Sequence, residues 1–183
     1  HGPEIGVNRT PVVGIQGDAR MVLERLVAAM RARRGQTNTR LDSWYALLEE
    51  PRKERRNQLE REMNNDAIPM SPYRMLKELR DFLPRRGGVS ILDGNVFMAA
   101  AQHVLPVYGP LSRFTAGSNG CMGVGIPFAL GAKIAAPERM VVAVCGDTGV
   151  GMSAMEMETA VRTRARALFV VANNDAWNIE RQD

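Results

Sequence analysis

The sequence predicts an α/β fold, three layers α/β/α built on a parallel sheet, and three observations carry that prediction. Short apolar runs of strand length recur at Val89 to Leu92, Met140 to Cys145 and Ala167 to Ala172, each bounded by glycine or polar turns. Between them, Val96 to Leu105, Cys121 to Ala136 and Ser153 to about Thr163 read as helices. Strands alternating with helices pack as a parallel sheet covered on both faces. The third observation is where polarity falls: Gly146-Asp147-Thr148 closes one apolar run and Asn173-Asn174 closes the next. Both groups then lie at the carboxyl edge of the sheet, where folds of this class bind ligands.

Taken in order, Pro11-Val12-Val13-Gly14-Ile15 reads as a short strand ending in the turn Gln16-Gly17-Asp18. Asp18 is placed to cap a helix whose Val22, Leu23, Leu26, Val27 and Met30 fall at helical spacing. Gly35 to Thr39 is a polar break. Leu41 to about Met63 reads as a long charged helix with Trp44, Leu47, Leu48 and Leu59 on its apolar side, and Pro51 is expected to kink or restart it. Pro69-Met70-Ser71-Pro72 opens another helix with Pro72 in the first turn, and Met75, Leu76, Leu79, Phe82 and Leu83 form its buried face. Asp93-Gly94-Asn95 is a turn after the first strand of the main unit, and Gly109 to Gly120 reads as a loop.

At 183 residues the chain suits one domain, or one domain plus a fragment, and 45% hydrophobic with 24% charged residues is ordinary for a globular protein. No apolar run reaches the roughly 18 residues of a membrane-spanning helix, so no membrane partner is expected. The start, His1-Gly2-Pro3-Glu4, has no signal-peptide pattern and no initiator Met, so the chain is expected to begin inside a longer polypeptide. Cys121 and Cys145 sit in apolar contexts without metal-type spacing and read as two buried thiols, consistent with a reducing cytoplasm. The net charge of +4 comes mostly from Arg. Arg52, Lys53, Arg55, Arg56 and Arg61 are interleaved with Glu49, Glu50, Glu54, Glu60 and Glu62, the pattern of a solvated helix face rather than of a nucleic-acid footprint.

Asp147 and Asn174 bring hard oxygen donors beside a glycine-rich turn and a helix start, a combination suited to Mg²⁺ carrying a diphosphate. Each residue alone also fits a simpler part, Asp147 as a helix cap and Asn174 as a turn former.

The whole constellation resembles the thiamine-diphosphate (ThDP) motif of the decarboxylase and carboligase superfamily: Gly-Asp-Gly, a spacer, then Asn-Asn. Asn174 follows Asp147 by 27 positions, which fits that pattern, and Met155 to Ala160 resembles the helix the family places between them. Thr148 departs from the third glycine, so it must adopt an ordinary backbone conformation or shift the turn. The resemblance implies the ThDP-binding fold, with Asp147, the side-chain oxygen of Asn174 and the carbonyl of Ala176 as Mg²⁺ ligands. It lays the diphosphate over Gly146 and the N–H groups of Thr148, Gly149 and Val150, with Asn95 reaching the same group. Ala116 to Gly123 is similar to the family's G-x-G-x-M-G segment, which gives Gly120 a carbonyl contact to the aminopyrimidine and Met122 a supporting place under the bent cofactor. Phe97 stands where acetolactate synthases tend to be polar. Ile179-Glu180 resembles the pyruvate-decarboxylase stretch beside substrate, with Ile179 against the cofactor and Glu180 as a local acid or an exposed charge.

By the same resemblance, residues 1–35 are the end of a middle domain, 36–70 a connector, and 71–183 most of the domain that binds the ThDP diphosphate. The implied reaction breaks or forms a C–C bond next to a carbonyl, on a 2-keto acid as in acetolactate synthase. The alternative is an acyl-CoA, as in 2-hydroxyacyl-CoA lyase or oxalyl-CoA decarboxylase, where Ser often replaces the third glycine. A second subunit, in a homodimer or homotetramer, is expected to supply the domain whose Glu activates the cofactor, so this chain alone is expected to be inactive. A non-catalytic diphosphate-binding module is the reading of another class.

Overall fold

A computed structural model describes residues 2–33, 40–83 and 88–177. The chain divides into two compact units, His1–Arg52 and Lys53–Asp183. In the first unit a single 3₁₀ turn, Gly2–Glu4, precedes helix α1, Ala19–Ala32. Asp18 caps α1 as its position predicts, its side chain accepting the Met21 N–H at 3.1 Å. Residues 11–15 do not form the predicted strand, and Val12 and Val13 stand exposed. A strand needs a neighbour for its backbone groups, and none of the described residues pairs with this one. Helix α2, Arg40–Met63, continues through Pro51 and does not restart there.

The second unit holds the sheet. Helix α3, Pro72–Phe82, starts at the N-cap Ser71 with Pro72 in its first turn, as predicted, and buries Leu76 and Leu79. Strands β1 (Val89–Leu92), β2 (Arg113–Phe114), β3 (Val141–Gly146) and β4 (Leu168–Ala172) are all parallel, in the order β2-β1-β3-β4. Helices α4 (Asn95–Val104), α5 (Gly125–Ala135), α6 (Asp147–Ser153) and α7 (Glu156–Thr163) complete the unit.

Alternation along the strands sorts the core into two layers. Leu92, Val142 and Val144 face α3 and α4, packing with Leu76, Leu79, Phe97 and Ala101. Val89, Ile91, Val141, Ala143 and Cys145 face the other way, toward Ala129 of α5. Ile126 and Leu130 of α5 join Met157 and Ala160 of α7 on that side. A sheet covered on both faces favours apolar strands, and the central β3 is apolar and buried from Val141 to Cys145. The predicted α/β/α architecture is the one observed.

Three element boundaries differ from the sequence reading. The helix expected from Cys121 starts at Gly125, because Gly123 holds a positive φ of 82° that breaks helical continuity. The helix expected from Ser153 starts at Glu156 as α7, and a separate short helix, α6, precedes it from Asp147. Strand β2 lies in the expected loop, two residues being too few to show a period.

Candidate active site at the carboxyl edge of the sheet

From β1 the chain passes to β2 on one side and then returns to β3 on the other. The connections leaving β1 and β3 therefore diverge, and a crevice opens between their carboxyl ends. The two turns are close enough there that a Cβ on Gly94, whose φ is +93°, would lie 3.4 Å from the Gly146 nitrogen. Gly94 and Gly146 form part of the floor of a cleft of about 460 Å³, within the range of small-molecule sites.

Gly146 leaves β3 in extended conformation, φ −73° and ψ 161°, and caps α6. Asp147 is the first residue of that helix, and its Oδ1 accepts the Thr148 N–H at 2.8 Å. Thr148 lies in the helix as well, an ordinary conformation that needs no glycine. The steric demand for glycine falls one position later: a Cβ on Gly149 would sit 3.0 Å from an oxygen of Asp93, whereas one on Gly146 meets nothing within 4 Å. The departure at Thr148 is thus resolved by the start of α6.

Beyond β4, two successive side-chain turns shape the opposite rim. Asn173 Oδ1 accepts the Asp175 N–H at 3.1 Å, and Asn174 Oδ1 accepts the Ala176 N–H at 3.2 Å. Asp175 takes a positive φ of 52° between them. Asp147, Thr148 and Gly149 from one strand end and Asn174 and Ala176 from the next all line the same cleft, with Met122 beside them. Gly120, in the left-handed region, is exposed and does not line it. Gly94, next to Asn95, lines the floor, while the side chain of Asn95 lies outside the described atoms, as do Ile179 and Glu180.

The other walls are apolar and were not assigned from sequence. Pro69, Met70, Pro72 and Met75 come from the approach to α3 and its first turn, Val96 and Phe97 from α4, and Trp177 from the rim. Their signals existed as core or capping positions, and only the topology turns them toward the crevice. The result has a polar end and an apolar remainder, which fits a molecule with a diphosphate at one end and rings at the other. Among the described residues no three His, Cys, Asp or Glu cluster as a metal site. One carboxylate with one carboxamide is nevertheless a workable protein share for Mg²⁺, which takes further oxygens from phosphate and water. Oδ1 of Asn174 keeps a second lone pair after accepting its turn hydrogen bond, and the Asp147 carboxylate has a second oxygen.

Below the floor, burial pushes the Cys145 thiol up to about 12, with the nearby Asp93 charge adding to the shift. This thiol stays neutral and is no nucleophile. Cys121, read as buried from its apolar neighbours, is exposed, since the glycine-rich turn around it precedes α5 rather than joining it.

Residues 93–183 match the family profile described as thiamine pyrophosphate enzyme, C-terminal TPP binding domain, thiamine pyrophosphate being ThDP by its other name. The chain belongs to the ThDP enzyme superfamily. Similar curated proteins include a 2-hydroxyacyl-CoA lyase of Arabidopsis thaliana, 33% identical over 91% of this chain and 29% of its own length. A probable acetolactate synthase of Mycobacterium bovis is 32% identical over 94% of this chain and 30% of its own length. The human 2-hydroxyacyl-CoA lyase 2 is 30% identical over 91% and 26% respectively. The chain thus spans less than a third of the length of these relatives. The ThDP-binding domain contains the whole crevice apart from the wall at Pro69 to Met75.

Proposed function

We propose that this chain contributes the diphosphate and metal half of an active site in a ThDP- and Mg²⁺-dependent enzyme that cleaves or forms a C–C bond next to a carbonyl. The observation that carries the reading is the convergence of Asp147, Asn174 and Ala176, from two neighbouring strand ends, on one cleft at the point where the strand order reverses. Asp147, the Asn174 side-chain oxygen and the Ala176 carbonyl would hold Mg²⁺. Gly146, the first turn of α6 and Asn95 would hold the diphosphate, while Met122 and Ile179 would hold the rings.

When bound, ThDP supplies an electron sink for the C–C bond. The chain's own contribution is positioning. The positive end of α6 favours an anion, and Phe97, Met75 and Trp177 offer apolar walls to the rings. Glu180 is a candidate proton donor near substrate. A partner subunit, in a homodimer or homotetramer, would supply the group that activates the cofactor. Residues 1–35 would be the end of a middle domain and 36–70 its connector. Two free cysteines fit a cytoplasmic location.

The substrate is a 2-keto acid or, in the second reading, an acyl-CoA. The relatives named 2-hydroxyacyl-CoA lyase favour the second, the acetolactate synthase the first. Calorimetric titration of ThDP into the full-length protein, with and without Mg²⁺, tests the cofactor. Binding that ignores the metal, or no binding, would sink the enzyme reading in favour of a non-catalytic module. Product analysis with pyruvate against a 2-hydroxyacyl-CoA then separates the two substrates.

A further inference from the structure

Asp93 directly follows β1 and is 2% exposed, yet it has no part in the site as described so far. Its N–H donates to the Val144 carbonyl at 2.9 Å, and its Oδ2 accepts the Gly125 N–H at the start of α5 at 2.8 Å. Oδ1 is withdrawn from solvent with no hydrogen-bond partner among the described residues. Neighbouring backbone is fitted to this carboxylate from two sides. A Cβ on Gly149 of α6 or on Gly125 of α5 would each lie 3.0 Å from Oδ2, and the latter also 2.3 Å from the Cys145 sulfur.

We propose that Asp93 is a positioning residue for the diphosphate end of the cleft, fixing the first turn of α6 against β1 and the start of α5. This inference rests on the ThDP reading above. A buried carboxylate with a single donor is an expensive way to fill this space, since an unpaired buried polar atom costs stability that an apolar side chain would not. Features that break a local rule in this manner concentrate at functional sites. Here the return is geometric. The carboxylate is the contact surface that sets how closely α6 approaches the sheet, and α6 carries Asp147, Thr148 and Gly149 in its first turn. The Gly125 hydrogen bond and the positive end of α5 hold the carboxylate in turn.

Asp93→Ala removes the contact, and Asp93→Asn keeps its shape and its acceptor while removing the charge. Both are titrated with ThDP at saturating Mg²⁺ in the full-length protein, with circular dichroism and cofactor-free melting as the check on folding. Asp93→Ala is expected to weaken ThDP at least tenfold while folded at the assay temperature. Asp93→Asn should bind within threefold of the parent and melt no lower. Parent-like affinity in folded Asp93→Ala overturns the inference and leaves the ThDP reading standing. A tenfold loss in Asp93→Asn also overturns it, because charge rather than contact would then be responsible. Should Asp93→Ala not fold, Asp93→Glu drives the carboxylate into Gly149, and unchanged affinity there overturns the inference. A parent protein without Mg²⁺-dependent ThDP binding overturns both inference and reading.

Discussion

Asp147 and Asn174 each have a local structural part besides the one the proposed complex requires of them. Each side-chain oxygen is engaged by a backbone N–H, at 2.8 Å and 3.2 Å, so each also serves a local turn. Losing either oxygen removes one short-range hydrogen bond outside the core, so it should affect metal-dependent binding more than folding. Asp147→Ala and Asn174→Ala are each expected to weaken ThDP at least tenfold in the presence of Mg²⁺, about 1.4 kcal/mol or more. Calorimetry with and without the metal measures this, and a loss equal in both conditions would argue against metal ligation. Thr148 invites the opposite substitution. Since it lies in α6 without a positive φ, Thr148→Gly should restore the common motif without gain. The helix should lose about 0.5–1 kcal/mol in denaturant unfolding, with ThDP affinity changed by less than about threefold.

Among the elements, α3 links the core to the cleft. Leu76 is fully buried under the sheet while Pro72 and Met75 of the same helix face the crevice. Leu76→Ala is expected to cost about 2–5 kcal/mol, as buried Leu truncations do. Ser71→Ala, which removes the cap oxygen that accepts the Tyr73 N–H, should cost about 1 kcal/mol. Chemical denaturation reads both, and equal costs would mean that α3 is held by its cap rather than its packing. Such elements were legible in the sequence because burial on both faces leaves unbroken apolar runs such as Val141 to Cys145, and because caps like Ser71 and Asp18 are local. What was not legible depends on tertiary partners. Residues 11–15 have strand composition but no neighbour, and Arg113-Phe114 pairs with β1 despite lacking any pattern of its own. The site followed the same division: Asp147, Thr148, Gly149, Asn174 and Met122 could be placed by motif. Most of the apolar walls could not, because a residue such as Met75 reads as core until the strand order turns it toward the crevice.

For the molecule as a whole, alkali offers a test of how tightly the two faces of the sheet close over the layer beneath the cleft. Cys145 is 1% exposed, and its thiol is raised from an ordinary 9.0 to about 12, first by burial and then by the charge of Asp93. Between those values the unfolded chain has lost the thiol proton and the folded chain keeps it. The unfolded state then binds fewer protons, so stability falls as pH rises. The stabilising contribution is fully present below about 9 and is lost as pH climbs toward about 12. Tyrosines and lysines titrate in the same window, so the difference between the parent and Cys145→Ala isolates this group. The parent is expected to lose stability more steeply above pH 9 than the variant, even where the variant starts lower because of its cavity. Thiol labelling supplies an independent readout. Cys121, which is exposed, should react readily with a disulfide reagent, while Cys145 stays protected until the protein opens. Equal labelling rates at pH 8 would mean that the layer holding Asp93, Gly125 and Gly149 opens readily, and the fixed floor on which the proposed diphosphate site depends would go with it.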